Sequence, residues 1–101
     1  MLKKNQVMLP MWLSDHIERM SEIQELSVSE FIRLQLCFAI IAYTSIAFPQ
    51  YKPDLTLKKI CSDSRKLSSS DNREGYLRFL SKVYFEARKA VEFRVKNKIL
   101  L

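Results

Sequence analysis

The chain has 101 residues and a mass of 11.9 kDa, room for one small domain or a small domain with an appendage. Hydrophobic residues are 48% and charged residues 28%, which excludes a disordered chain. Cys37 and Cys61, with no Cys-x-x-Cys and no neighbouring His, exclude a disulfide scaffold and a recognisable zinc site.

Reduced thiols in a cytoplasmic protein are expected. Met1-Leu2-Lys3-Lys4 leads into Asn5 and Gln6, not into an apolar run, so no signal peptide is expected. The longest apolar stretch, Leu36 to Phe48, holds Thr44 and Ser45 and reads as a buried helix rather than a bilayer span. No membrane partner is expected. The net charge is +6, and it is uneven. Residues 1–50 carry four basic and five acidic side chains; residues 51–101 carry thirteen and six. Apart from Lys3 and Lys4, the positive field comes from the second half. Such a balance permits binding to nucleic acid or an anionic membrane.

Residues 3–9 read as a short strand, with Val7 and Leu9 alternating and Pro10 barring further pairing. From Met11 the period changes. Leu13, Ile17 and Met20 recur at helical steps, predicting a first helix from Met11 to Gln24. Glu25-Leu26 is a tight turn. Ser27 and Glu30 have capping-box spacing, and a second helix follows to Ala47 before Pro49. Its second half is apolar nearly all round, so it must be covered on most sides. Pro49 to Pro53 marks a boundary between residues 1–48 and 49–101. A short helix is predicted over 54–62 with Asp54 as cap, then a polar connection to Ser70. Asp71 and Glu74 have capping-box spacing again and open a long helix over 71–97. Its apolar stripe runs Leu77, Leu80, Tyr84, Ala87 and Val91, broadened by Tyr76, Phe79 and Val83, with Glu92 and Lys96 placed to pair.

Strand, Pro, helix, tight turn, Ser-x-Ser, helix: the first 43 or so residues resemble the ribbon-helix-helix family of DNA-binding proteins. The pattern is Val7-x-Leu9-Pro10-x-x-Leu13-x-x-x-Ile17-x-x-Met20, then Leu26-Ser27-Val28-Ser29-Glu30-Phe31-Ile32-Arg33. Glu25 stands where the family usually has a left-handed Gly, at a cost of roughly 1 kcal/mol.

The resemblance implies a mainly α fold, an intertwined ribbon-helix-helix homodimer with a C-terminal helical extension. A lone strand is not stable, whereas two copies paired antiparallel make a ribbon that fits the major groove. Alternation turns Lys4, Gln6 and Met8 outward, and the resemblance assigns them base readout. Lys suits guanine, Gln suits adenine, and Met offers only apolar contact. The positive end of the second helix, at Ser27, Val28 and Ser29, is assigned a phosphate, with Lys3 as an additional contact. Val7, Leu9, Leu13, Ile17, Met20, Phe31 and Ile32 form the expected dimer core. Ser27 is an N-cap whatever else it does. Arg33 reads more readily as a salt-bridge partner, to Glu30 or Glu18, than as a DNA contact.

No nucleophile–base pair, no paired carboxylates on an apolar face and no phosphate-binding Gly-rich loop appear, so neither an enzyme nor a cofactor or metal is expected. The acidic residues read as solvated helix faces. Trp12 lies off the first helix's apolar face and is expected to pack on the long C-terminal helix. For residues 50–101 three uses stay open: packing on the second helix, pairing with a counterpart, or capture of a protein such as a toxin. Arg78, Lys82, Arg88, Lys89, Arg94, Lys96 and Lys98 are candidates for extra phosphate contacts. The function expected from the resemblance is a sequence-specific transcriptional regulator, a repressor, that binds double-stranded DNA as a homodimer. The alternative is a protein-interaction module such as an antitoxin.

Overall fold

The computed structural model describes residues 7–66 and 73–97, the side chains of residues 65 and 66 apart. Four helices follow in order: α1 (Met11–Ile23), α2 (Val28–Ala47), α3 (Leu57–Lys66) and α4 (Arg73–Lys96). There is no strand among the described residues. This overturns the ribbon-helix-helix architecture expected above, which requires an N-terminal strand. Residues 7–10 form no regular structure, and Val7 and Met8 are 73% and 99% exposed. The physical reason is the missing edge: an extended segment holds only where another pairs with its backbone groups, and the described chain offers none.

Pro10 still starts α1, its carbonyl accepting from Leu13 N and Ser14 N at 3.0 Å each. The end of α1 is a paired closure. Leu26 N donates to Ser21 O at 2.9 Å and Glu25 N to Glu22 O at 3.1 Å, with Glu25 at φ 56°. This is the Schellman arrangement, which satisfies orphan carbonyls at the cost of one left-handed residue. Here that residue is Glu25 rather than Gly. The closure turns the chain into α2, where Ser27 and Glu30 form a complete capping box.

α2 is the central helix. It packs against α1, α3 and, most extensively, α4, while α1 lies against α2 and not against α3 or α4. Trp12, expected on the C-terminal helix, is therefore 71% exposed. α2 and α4 run parallel. Arg33 meets Tyr84 and, eleven residues on, Thr44 meets Arg94. α3 lies between α2 and α4 in the chain and packs against both. The α3 helix starts later than predicted. Its first N–H groups turn to Thr56, not Asp54: Lys59 N donates to the Thr56 hydroxyl at 3.2 Å and Ile60 N to its carbonyl at 2.9 Å. The polar connection at 67–70 and the Asp71 cap lie outside the described residues.

The core joins Leu34 and Ile41 of α2, Ile60 of α3, and Tyr76, Phe79, Leu80, Val83 and Ala87 of α4. The buried face of α4 is rotated from the predicted stripe. It centres on Tyr76, Val83 and Ala90, leaving Leu77 and Val91 46% and 42% exposed. Small Ala87 and Ala90 are both buried on this face.

Tyr76 is 2% exposed, and its hydroxyl has no hydrogen-bond partner among the described residues. Burial, with the Glu30 charge beside it, pushes its pKa up to about 12. The folded phenol thus holds its proton to higher pH than the unfolded one. Its contribution is whole below about pH 10 and is lost as pH rises toward 12. Tyr76→Phe removes an unsatisfied polar atom at little change of shape. Its stability at pH 7 should match wild type or exceed it by up to about 1 kcal/mol. Its decline above pH 10 should be shallower, as read by urea unfolding at pH 7 and pH 11.

Candidate interaction surfaces

Three features outside the core offer chemistry to a partner: the start of α2, the cations of α3 and α4, and the apolar side chains left on the surface.

At the start of α2, Ser27, Val28 and Ser29 are all exposed. The Ser27 hydroxyl accepts from Glu30 N at 3.0 Å, and the Glu30 carboxylate accepts from Ser27 N at 3.2 Å and from Arg73 at 3.2 Å. Burial opposes ionisation of Glu30, but the bonds from Ser27 and the Arg73 charge outweigh it and hold its carboxyl below the usual range. The positive end of this helix is therefore already served by a carboxylate, with a guanidinium from α4 beside it. Arg33, expected to pair with Glu30 or Glu18, instead donates to the Tyr84 hydroxyl at 3.4 Å. Of the other predicted DNA contacts, Met8 projects into solvent, while Lys3, Lys4 and Gln6 lie outside the described residues.

The cations of the second half divide into committed and uncommitted. Arg78 pairs with Glu74 at 3.0 Å, and Lys59 with Asp63 and Arg88 with Glu92 at 3.2 Å each. Glu92 thus does not pair with Lys96 as predicted. Lys89 binds Asp54 and lies 3.6 Å from Glu86. Arg94 is 7% exposed, so it offers nothing to a phosphate. Lys98 lies outside the described residues. Lys52, Lys58, Lys82 and Lys96 are exposed and have no ion pair among the described residues. A shallow cleft of about 410 Å³ opens beside Lys82, lined also by Asp54, Leu55, Phe85 and Lys89. Its acids are already met by Lys89.

The residues of the predicted dimer core differ in exposure within the single chain. Phe31 is buried at 4% exposure, Leu13, Ile17, Met20 and Ile32 are half-buried, and Val7 and Leu9 are exposed. Met11, Trp12 and Ile23 add further exposed apolar surface around α1.

Two buried polar centres escaped the sequence reading. Glu86, read as part of a solvated face, is 2% exposed. It accepts from the Tyr51 hydroxyl and from Leu55 N at 3.0 Å. Burial, then this carboxylate, pushes the Tyr51 hydroxyl pKa up. Arg94 donates to the Thr44 hydroxyl at 2.8 Å and to the Ile40 carbonyl at 3.2 Å, and its guanidinium lies over the Tyr43 ring at 4.9 Å. One signal for Arg94 was present: it follows Leu80 and Ala87 at steps of seven, on a face that becomes buried. Glu86 carried the same signal, seven residues after Phe79 and seven before Phe93.

No group of three or more His, Cys, Asp or Glu residues able to hold a metal occurs among the described residues. Compared with protein families, curated proteins and solved structures, the chain shows no match.

Proposed function

We propose that this protein is a DNA-binding regulator that holds the duplex chiefly through uncommitted cations. The observation that carries the reading is the set of exposed lysines without an ion pair among the described residues, Lys52, Lys58, Lys82 and Lys96, in a chain of net charge +6. Cations already paired at the surface gain little by exchanging a carboxylate for a phosphate, whereas unpaired ones release counterions on binding. In the segment before α1, Lys4, Gln6 and Met8 are the candidate contacts to base edges, and Lys3 a candidate phosphate contact. The resemblance of the first 43 or so residues to ribbon-helix-helix proteins supports a role on DNA. No ribbon is part of the reading.

Gel shifts over a salt series test it. Affinity should fall steeply with salt, and replacing Lys52, Lys58, Lys82 and Lys96 by Gln should flatten the slope by up to about four phosphate contacts' worth, each contributing roughly 0.9. Lys4→Ala with Gln6→Ala should erase preference among sequences while leaving the salt slope nearly intact. A flat salt response rejects the reading. A second reading, a protein-interaction module whose C-terminal half holds a partner protein, is favoured by exposed Leu77, Phe85, Val91 and Val95 on α4. Salt-insensitive association with a protein and no DNA binding is its signature.

A further inference from the structure

We propose that the cleft between the 51–55 segment and α4 binds a small aromatic carboxylate. Glu86 sets the cleft in place. Its buried carboxylate accepts from Leu55 N at 3.0 Å and from the Tyr51 hydroxyl, and so pins the segment to α4. Asp54, next to Leu55, is tied to the same helix through Lys89. The segment supplies Asp54 and Leu55 to the cleft, and α4 supplies Ser81, Lys82, Phe85 and Lys89, around a volume of about 410 Å³. Small-molecule sites span roughly 300–1,000 Å³ and are mostly apolar with a few polar groups. This cleft is of that kind, at the small end.

Charge selects the sign of the ligand. Lys89 holds Asp54 and lies 3.6 Å from Glu86, so both carboxylates of the cleft already face a cation. Lys82 is exposed and has no ion pair among the described residues. A cationic ligand has to displace Lys89 and is repelled by Lys82, whereas an anion meets a free ammonium. That ammonium balances one charge. A phosphate monoester carries about −1.5 to −2 at pH 7, more than Lys82 alone can match, and a carboxylate carries one.

Phe85 selects the body. Its ring is 63% exposed at the cleft, with the Lys89 ammonium 5.4 Å from the ring centroid. A ring left this open gains from a second ring placed offset or edge-on, and Leu55 adds aliphatic surface beside it. Ser81 lines the same cleft one residue before Lys82, and its hydroxyl can donate to the second carboxylate oxygen. Lys82 is also a candidate phosphate contact, but ligand binding is read without DNA, so the two readings fail separately.

Titration of the full chain with 2-naphthoate tests it, followed by backbone amide NMR at about 0.15 M salt to screen diffuse attraction. Saturable shifts should gather at Leu55, Ser81, Lys82 and Phe85, with a Kd on the order of 1 mM or tighter, as for ligands this small. 2-Naphthamide, the same ring without the charge, should bind roughly fivefold more weakly. Lys82→Gln should weaken 2-naphthoate by a similar factor, and Lys82→Arg should restore it. Phe85→Ala should weaken it roughly tenfold. Both positions are exposed, so helical circular dichroism should not change. Lys96→Gln removes the same charge from α4 outside the cleft and should bind 2-naphthoate as wild type does. Absence of saturable shifts up to roughly 10 mM overturns the proposal. So does equal binding of 2-naphthamide. A Lys96→Gln chain that loses as much affinity as Lys82→Gln also overturns it, because the binding is then a general attraction to a basic chain.

Discussion

Glu86→Leu should destabilise the fold by about 2–4 kcal/mol, although it exchanges a charge for an apolar side chain in a buried place. The reason lies in what the carboxylate serves. It accepts from the Tyr51 hydroxyl and from Leu55 N, and it stands 3.6 Å from Lys89. Tyr51 is 9% exposed and its ring packs 5.4 Å from that of Phe93. Removing the acceptor strands a buried hydroxyl and a backbone N–H, each costing roughly 1–3 kcal/mol, against a partial gain from the added apolar surface. Glu86→Gln keeps an acceptor oxygen and should cost less. Both effects are read by urea unfolding with unchanged slope. In the Leu variant the Leu55 amide should also exchange its hydrogen faster than wild type, because the 51–55 segment is tied to α4 at this carboxylate.

Arg94→Ala should cost a similar amount, about 2–4 kcal/mol, about two turns further along α4. The guanidinium bonds the Thr44 hydroxyl and the Ile40 carbonyl and covers the Tyr43 ring. Thr44 is 0% exposed, and its hydroxyl donates to the same Ile40 carbonyl at 2.7 Å. The Arg side chain therefore pins the C-terminal half of α2 to α4 from two directions. Arg94→Lys should recover little, because an ammonium lacks the planar fork that reaches both oxygens and stacks on the ring. Arg94→Met keeps the apolar stem and should fall between wild type and Ala. A double-mutant cycle with Thr44→Val should show coupling of about 0.5–3 kcal/mol, as residues sharing a hydrogen bond do. Additive losses would mean that the two side chains act independently.

Helix positions were legible because each boundary carries a local chemical signal. Pro10, the Ser27–Glu30 box and Pro49 act within a few residues, and α1 and α2 begin and end within one residue of the spans they predict. The exception is α3, where two oxygens competed for the same N–H groups and Thr56, next to the helix, won over Asp54. The face of α4 was less legible. Its apolar residues occupy more than one stripe, and only the packed neighbours decide which is buried: Val83 and Ala90 are enclosed, while Leu77 and Val91 stay outside. The heptad spacing of Glu86 with Phe79 and Phe93 hinted at burial, but its partners could not be read, since Tyr51 and Leu55 come from a linker 35 and 31 residues away. The strand was misread for a different reason. Val7, Leu9 and Pro10 match the local pattern of a strand end, but a strand is a property of two segments, and the sequence of one cannot supply the second.

The same division holds for the interaction surfaces. The excess of cations in the second half was visible in composition. Which of them stay uncommitted was not, because Arg94 turned inward and Lys89 found Asp54 across 35 residues. Lys82 and Lys96, on the same helix, are left exposed without an ion pair among the described residues.

Selection of bound duplexes from a random DNA pool with the full-length protein bears most directly on the regulatory reading. The account predicts an enriched sequence that disappears with Lys4→Ala and Gln6→Ala, together with retention that weakens steeply as salt rises. A pool that emerges as random as it entered, or binding indifferent to salt, would contradict it.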